Sequence, residues 1–253
     1  MSPSSTIDPS GPHDDLSAYE AFLQRADSDA NVIGLVLYGS RGFGDYVTEA
    51  SDVDVIVVVD HELEVWQTPH GGPVESWPMT LQEFREHAMP GNRDAWNRSA
   101  FLGVKVVIDK LDGEIARIVD RKRKLTAVEA RAIVITSLDD YINALFRSLH
   151  NLEAGRELEG RLDAMDTLPP LLTTVFALDT RVRPFNKWLK HQVQAQPLSI
   201  GGFVDLVEQV VREPTAAVQR AVFRLVETAA RDAGHGAEID SWEPHVAWLR
   251  NGN

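Results

Sequence analysis

Two strand-length apolar runs, separated by a glycine-rich segment and a pair of aspartates, constrain the fold more than any other feature of this 253-residue chain. The first run, VIGLVLY at residues 32–38, ends in the segment GSRGFG at residues 39–44. The second run, VDVIVVV, covers residues 53–59. Its density of β-branched residues predicts a strand that is buried on both faces of a sheet. Asp52 and Asp54 lie where this strand begins, in a segment that otherwise disfavours acids.

The spacing of the two aspartates indicates a shared chemical role. Side chains two residues apart on a strand point to one face, with their Cα atoms about 6–7 Å apart. Two carboxylates so placed can converge on one or two hard cations, and Mg²⁺ prefers carboxylates together with water and phosphate oxygens. The preceding Gly39-Ser40 turn offers backbone N–H groups and a hydroxyl that can hold terminal phosphates of a nucleotide. The alternative is a pair of surface acids at a strand end.

Residues 37–59 resemble the nucleotidyltransferase superfamily related to DNA polymerase β. The family pattern is an apolar residue followed by Gly-Gly or Gly-Ser, a short gap, and then Asp-apolar-Asp/Glu-apolar. The resemblance implies that Asp52 and Asp54 are catalytic and bind divalent metal, with two Mg²⁺ ions expected. It also implies a nucleotide-binding site made of Gly39, Ser40, Arg41 and Ser51.

The family also uses a third carboxylate on a later strand, as a metal ligand or as a general base for the acceptor hydroxyl. Glu75 is the first choice, because it lies alone within VESWPM at residues 74–79, which is predicted to be a strand at a sheet edge on account of Pro78. The alternative is an outward-facing acid on that edge strand. Asp109, which ends a fourth predicted strand at residues 104–108, is the second choice.

The pattern changes near Lys124, where strand-like runs stop and helical periodicity takes over. We predict an α+β protein in which a small mixed-sheet nucleotidyltransferase core at residues 16–124 precedes an all-helical domain at residues 125–253. The first 15 residues, rich in Ser, Pro, Gly and Asp, are predicted to be a disordered tail. Long helices are predicted at 16–25, 80–88, 114–120, 128–152, 158–178, 185–193, 200–211 and 215–233.

Two local signals refine these helices. Thr80 and Glu83 form a capping-box pattern at the start of the helix predicted for residues 80–88. Pro169-Pro170 is expected to interrupt the helix predicted for residues 158–178, or to mark a new start, because proline removes an N–H group from the helix interior.

A nucleotidyltransferase core followed by a helical domain resembles the antibiotic adenylyltransferases that modify aminoglycosides or lincosamides. The segments DYINALFRSL at 140–149 and FALDTRVRPFNKWL at 176–189 strengthen this likeness. The resemblance implies that Lys187 contacts the nucleotide phosphates. Asn143 and Arg147 are one helical turn apart and therefore share a face, where they are also candidates for nucleotide binding. The alternative for both is a polar stripe that faces water.

The charge and composition of the chain limit the classes of partner and the types of site that we expect. The formal net charge is −13, which disfavours nucleic acid and suits a cationic small-molecule acceptor. The basic run RKRK at residues 121–124 is short, and we expect it to be a solvated linker. The absence of cysteine excludes disulfides, thiolate zinc sites and cysteine nucleophiles, and it permits the cytoplasm, where we expect the protein to act. No apolar window is long enough for a membrane span, and the start lacks a secretory-signal pattern.

We therefore expect a magnesium-dependent enzyme that transfers a nucleoside monophosphate, AMP from ATP, to a hydroxyl of a small molecule and releases pyrophosphate. An aminoglycoside-like antibiotic is the expected acceptor class, which would make the enzyme a resistance factor. Two alternatives stay open: transfer to a protein or tRNA, as in a toxin or regulator, and an inactive nucleotide-binding module.

Overall fold

The computed structural model describes residues 13–44, 47–48, 51–61 and 63–252. The chain divides into two compact units, Met1–Arg123 and Lys124–Asn253. The first unit contains a four-stranded sheet with helices, and the described part of the second unit is built from helices. The predicted α+β class, with a mixed sheet and a helical region after it, is confirmed.

The first unit contains these helices and strands in chain order: α1 (His13–Ser28), β1 (Val32–Tyr38), α2 (Gly39–Phe43), β2 (Val53–Val59), β3 (Val74–Thr80), α3 (Leu81–Glu86), β4 (Lys105–Asp109) and α4 (Glu114–Arg123). Two 3₁₀ helices, Leu63–Trp66 and Ala95–Gly103, lie between them. The second unit contains α5 (Ala127–Glu153), α6 (Glu157–Leu178), a 3₁₀ helix (Asn186–Trp188), α7 (Leu189–Ala195), α8 (Phe203–Arg212), α9 (Ala216–Asp232), α10 (Gly236–Asp240) and α11 (His245–Asn251).

The strand order is β3-β2-β1-β4, with β1 antiparallel to both of its neighbours and β2 parallel to β3. The register pairs Tyr38 with Asp54, and Asp54 in turn with Glu75. Paired residues on neighbouring strands point to the same face of a sheet. Three polar side chains therefore lie side by side across β1, β2 and β3. Pro78 is tolerated because β3 is an edge strand with one free side.

Strand β2 is buried on both faces of the sheet, as its composition predicts. Val55 and Val57 belong to an apolar cluster on one face, which also includes Trp66 and the partly buried Phe22 of α1. Ile56 and its neighbours on the opposite face belong to a second cluster, which is closed by side chains of α3, α4 and the longer 3₁₀ helix. Because side chains alternate along a strand, the second face is also the one that carries the two aspartates at the start of β2.

Helix α1 begins at His13, so residues 13–15 are helical and the prediction that they belong to a disordered tail is wrong. The prediction rested on apolar spacing, which starts only at Leu16, so the polar first turn left no signal. Residues 1–12 of the predicted tail lie outside the described residues.

The basic run at residues 121–124 is not a solvated linker. Its first three residues form the last turn of α4, and the side chain of Lys122 is fully buried. The Lys122 ammonium donates hydrogen bonds to the carbonyl of Arg85, at 3.1 Å, and to the carbonyl of His87. These carbonyls lie where α3 ends, and helix C-termini attract cations because their last carbonyls lack helical partners.

Helix α6 runs through Pro169-Pro170 without a break, contrary to the interruption expected there. Its packing against α5 explains the difference. Before the prolines, the Ser148 hydroxyl donates to the carbonyl of Gly160 at 2.8 Å. After them, the Thr174 hydroxyl donates to Ser137 at 2.8 Å. Because α6 is held to α5 on both sides, tertiary contacts outweigh the unfavourable helix propensity of proline.

Helix α3 carries the predicted capping box, in which the Thr80 side chain accepts from the backbone N–H of Glu83 and the Glu83 side chain accepts from the backbone N–H of Thr80. The helix ends at Glu86, two residues before the predicted end. None of the described helices is long and apolar enough to cross a membrane.

Candidate active site

The turn after β1 is pressed against the start of β2. Gly39 adopts φ +65°, a left-handed backbone conformation that favours glycine. A Cβ atom on Gly39 would also overlap Oδ2 of Asp54. Gly42 is similarly confined, because a Cβ there would lie 2.9 Å from the carbonyl oxygens of Leu37 and Gly103. Gly39 therefore lets the turn approach the Asp54 carboxylate, and Gly42 lets it pack against the backbone of Leu37 and Gly103.

Asp52, Asp54 and Glu75 form a cluster that we call the carboxylate triad. Each contributes one carboxylate oxygen, and these oxygens lie within 4.8 Å of one another. Asp52 is exposed, whereas Asp54 is half-buried and the Glu75 side chain is 16% exposed. Strand pairing places Glu75 beside Asp54, because the two residues are partners on β3 and β2, and Asp52 lies one residue before β2 begins.

The second-choice carboxylate, Asp109, has a different position. Its two oxygens accept hydrogen bonds from the backbone N–H groups of Leu111 and Ala116, both at 3.1 Å. These bonds hold the turn between β4 and α4. Both carboxylate oxygens of Asp109 thus accept hydrogen bonds from nearby backbone, and Asp109 is not a member of the carboxylate triad.

Asp54 and Glu75 have opposite pKa shifts. Burial, together with the nearby charges of Asp52 and Glu75, raises the pKa of Asp54 to about 6. The pKa of Glu75 is lowered instead, first by the hydrogen bond from the Gly71 N–H, at 2.6 Å, and then by His70, whose Nδ1 lies 3.1 Å from Oε2. Ionisation is therefore less favourable at Asp54 than at Glu75.

Sequence reasoning missed three groups beside the triad. His70 and Gly71 hold the Glu75 carboxylate, and they come from the loop four and five residues earlier in the chain. Tyr38, the partner of Asp54 on β1, has its pKa raised by burial and by the charges of the triad. Its ring packs edge-on against Trp77, with 5.3 Å between the ring centroids. The only available signal was the position of Tyr38 directly before Gly39-Ser40.

Arg41 and Ser51, both predicted to bind nucleotide, contact each other. The Arg41 guanidinium donates from Nε to the carbonyls of Ser51 and Asp52, both at 3.1 Å, and from a terminal nitrogen to the Ser51 carbonyl at 2.7 Å. The Ser51 hydroxyl accepts from the backbone N–H of Thr48 at 2.9 Å. Both residues thus lie at the entry to β2, next to the carboxylate triad.

The remaining predicted nucleotide-binding residues belong to the second unit. Asn143 and Arg147 are exposed on α5, and Nε of Arg147 lies 3.4 Å from a carboxylate oxygen of Asp163. Lys187 is exposed in the 3₁₀ helix before α7, with its ammonium 5.3 Å from the centroid of the Trp188 ring. The assignment of these three residues to nucleotide binding stays a prediction.

Residues 19–144, about half of the chain, match the family model described as a nucleotidyltransferase domain. The chain carries a nucleotidyltransferase domain. The matched range includes Gly39, Ser40 and the whole carboxylate triad. Nucleotide transfer is therefore the type of activity that the family match supports for residues 19–144. Members of this family usually use a divalent metal.

Two further similarities concern known proteins. A nucleotidyltransferase-like protein from Exiguobacterium sibiricum 255-15 has a solved structure that is 12% identical, with a TM-score of 0.46; the likeness covers 90% of this chain and 76% of that one. The GTPase Obg of Buchnera aphidicola subsp. Schizaphis graminum is 26% identical over 113 residues, which are 43% of this chain and 32% of the GTPase. The chain thus spans about a third of the length of the curated relative that it matches.

Proposed function

We propose that the nucleotidyltransferase domain transfers AMP from ATP to a hydroxyl of a small molecule, with Mg²⁺ bound by the carboxylate triad. The observation that supports this most is the gathering of three carboxylate oxygens within 4.8 Å at the end of the glycine-rich turn. Their mutual repulsion is unfavourable unless a cation or a proton offsets it. In an inactive module, no function would offset this repulsion, so the clustered carboxylates favour an active site over an inactive module.

The residues fit a hard divalent cation. The donor set consists of carboxylate oxygens, which Mg²⁺ prefers over nitrogen or sulfur ligands. The raised pKa of Asp54 has the negative charges of Asp52 and Glu75 among its causes, and a bound cation would offset those charges. Magnesium, when bound, would supply positive charge to the phosphate oxygens and to the attacking and leaving oxygens.

The side chains have separate tasks in this reaction. Gly39 and Ser40 bind the terminal phosphates through backbone N–H groups and the hydroxyl. The acceptor oxygen forms a bond to the α-phosphorus, the bond from that phosphorus to the bridging oxygen breaks, and pyrophosphate leaves. The hydroxyl proton is lost to water. Glu75, whose pKa is lowered by Gly71 and His70, is better suited to hold a cation than to accept this proton.

Charge supports a cationic acceptor. The net charge of −13 gives the protein a field that attracts cations and repels tRNA. Polyamine-like antibiotics of the aminoglycoside class match that field. We further propose that Asn143, Arg147 and Lys187 bind the nucleotide, which predicts weaker ATP binding in Lys187→Met than in the wild type.

The test is pyrophosphate release from ATP and Mg²⁺ with a panel of aminoglycosides and lincosamides. Asp60→Asn is a matched control for Asp54→Asn, because Asp60 is an exposed acid directly after the same strand. We expect release by the wild type and by Asp60→Asn with at least one acceptor, and none by Asp54→Asn. Activity in Asp54→Asn would contradict the metal assignment.

Failure with every acceptor would count against the antibiotic class. Labelled ATP added to a cell lysate then separates the alternatives, because label in protein or RNA would indicate a macromolecular acceptor.

A further inference from the structure

We infer that Arg41 is a positioning residue: it anchors the backbone at the entry to β2, holds the Asp52 carboxylate in the triad, and so acts on metal binding rather than as a phosphate ligand. The part of this inference that concerns metal rests on the proposed function.

The Arg41 guanidinium donates its hydrogen bonds to backbone carbonyl groups. All three hydrogen bonds described above go to the carbonyl oxygens of two consecutive residues, Ser51 and Asp52. Arginine is suited to this task, because its planar fork presents Nε and a terminal nitrogen along one edge. The second of these carbonyls belongs to the residue that carries the first triad carboxylate. Fixing that carbonyl restricts the backbone of Asp52 and, with it, the direction of its side chain.

Asp52 needs such an anchor because it precedes the sheet. The ladder between β2 and β3 begins at Val53, and the ladder between β2 and β1 ends at Asp54. Asp54 and Glu75 are thus positioned by strand pairing, whereas Asp52 lies one residue before the first pair. A hydrogen bond from Arg41 connects Asp52 to the glycine-rich turn.

Ser51 is also bonded within its own segment. The Ser51 N–H donates to the Thr48 carbonyl at 3.0 Å, and the Ser51 hydroxyl accepts from the Thr48 N–H. Arg41, which belongs to α2 and follows Gly39-Ser40, connects Ser51 and Asp52 to the glycine-rich turn. It therefore joins the two halves of the motif, the phosphate-binding turn and the metal-binding acids.

Hydrogen exchange of the metal-free protein tests the anchor without reference to metal. The backbone amides of residues 47, 48 and 51–53 are measured in the wild type, Arg41→Lys and Arg41→Met. Arg25→Met is the matched control, since the Arg25 guanidinium also donates to a backbone carbonyl, that of Val65, at 2.9 Å. We expect exchange to be fastest in Arg41→Met, intermediate in Arg41→Lys and unchanged in the control. Unchanged exchange in Arg41→Met would overturn the inference.

Two titrations separate positioning from phosphate binding. Mn²⁺ is titrated without nucleotide, and ATP is titrated in EDTA without metal. Loss of a group that orients a metal ligand typically weakens metal affinity by about 10- to 100-fold. We expect Arg41→Met to lose Mn²⁺ affinity by about that factor and to keep the metal-free ATP affinity of the wild type. The opposite pattern, with ATP affinity lost and Mn²⁺ affinity kept, would make Arg41 a phosphate ligand.

The same experiments keep the two proposals apart. If the wild type and Asp54→Asn bind Mn²⁺ equally poorly, the proposed metal site is wrong. Hydrogen exchange still decides whether Arg41 anchors the entry to β2. If the wild type binds Mn²⁺ and Arg41→Met binds it equally well, the metal site stands and the positioning role of Arg41 is refuted.

Discussion

Replacing Asp54 with asparagine should stabilise the metal-free protein at neutral pH and at the same time remove its metal site. The pKa of this half-buried carboxyl rises from 3.8 to about 6 on folding, chiefly because of burial. At about 1.4 kcal/mol per pKa unit, ionised Asp54 lowers the free energy of unfolding by up to about 3 kcal/mol above pH 6. Solvent screening reduces this value, so a gain of about 1–3 kcal/mol is expected for Asp54→Asn.

The sign follows from proton binding. Between pH 4 and pH 6 the folded protein binds a proton at Asp54 that the unfolded chain does not hold. The contribution of this group to stability is therefore fully present below pH 4 and is lost as the pH rises through 6. Urea denaturation in EDTA should show this dependence in the wild type, and the advantage of Asp54→Asn should disappear towards pH 4.

Metal should offset this advantage. If Mg²⁺ binds the carboxylate triad of the folded protein as proposed, then at 100 times its dissociation constant it stabilises the wild type by about 2.7 kcal/mol and leaves Asp54→Asn unchanged. Asp60→Asn, an exposed acid after the same strand, should stay within about 0.5 kcal/mol of the wild type. If Asp54→Asn is less stable than the wild type at pH 7.5 without metal, the account of repulsion and burial at this site is refuted.

Three further predictions concern other parts of the molecule. Gly39→Ala should lower Mn²⁺ affinity by about 10- to 100-fold in a titration, because its Cβ overlaps a triad oxygen; Gly91→Ala, also at positive φ but in open space, is the control that should keep full affinity. Thr126→Ala should lower the free energy of unfolding in urea by about 1 kcal/mol through loss of the capping box of α5, whereas Thr136→Ala in the same helix should have a smaller effect. Burial lowers the pKa of Lys122 from 10.5 to about 8, so the free energy of unfolding should rise between pH 8 and pH 10, and a similar rise in Lys122→Met would contradict this origin.

The strands could be predicted because apolar runs of β-branched residues leave few alternatives. β1 and β2 begin and end at the predicted residues, β3 ends one residue later than predicted, and β4 is shifted by one residue at both ends. The position of Glu75 beside Asp54 required more than this pattern, because nothing in either strand specifies their register. That placement was implied by the family resemblance, and the parallel pairing of β2 with β3 provides its physical basis.

In the second unit, apolar periodicity predicts the long helices but not the short ones. Helix α5 differs from its predicted range by one residue at each end, since it is long enough to repeat an apolar face many times. α10 and α11 are too short for such a repeat and were not predicted. The continuous α6 was missed for another reason: helix propensity is a local property, and the contacts to α5 that overcome the two prolines are not.

The groups that hold the site in place were the hardest to predict, and they share a physical feature. Arg41 bonds to the carbonyls of Ser51 and Asp52 before β2, and Gly71 donates its backbone N–H to Glu75. In each case one partner is a backbone group, which every residue offers, so no residue type marks the position. Side chains that act on substrate must have particular chemistry, whereas their anchors need only a polar group at the right distance. A motif therefore identifies the carboxylates of such a site long before it identifies what orients them, and an arginine inside a phosphate-binding motif need not be a phosphate ligand.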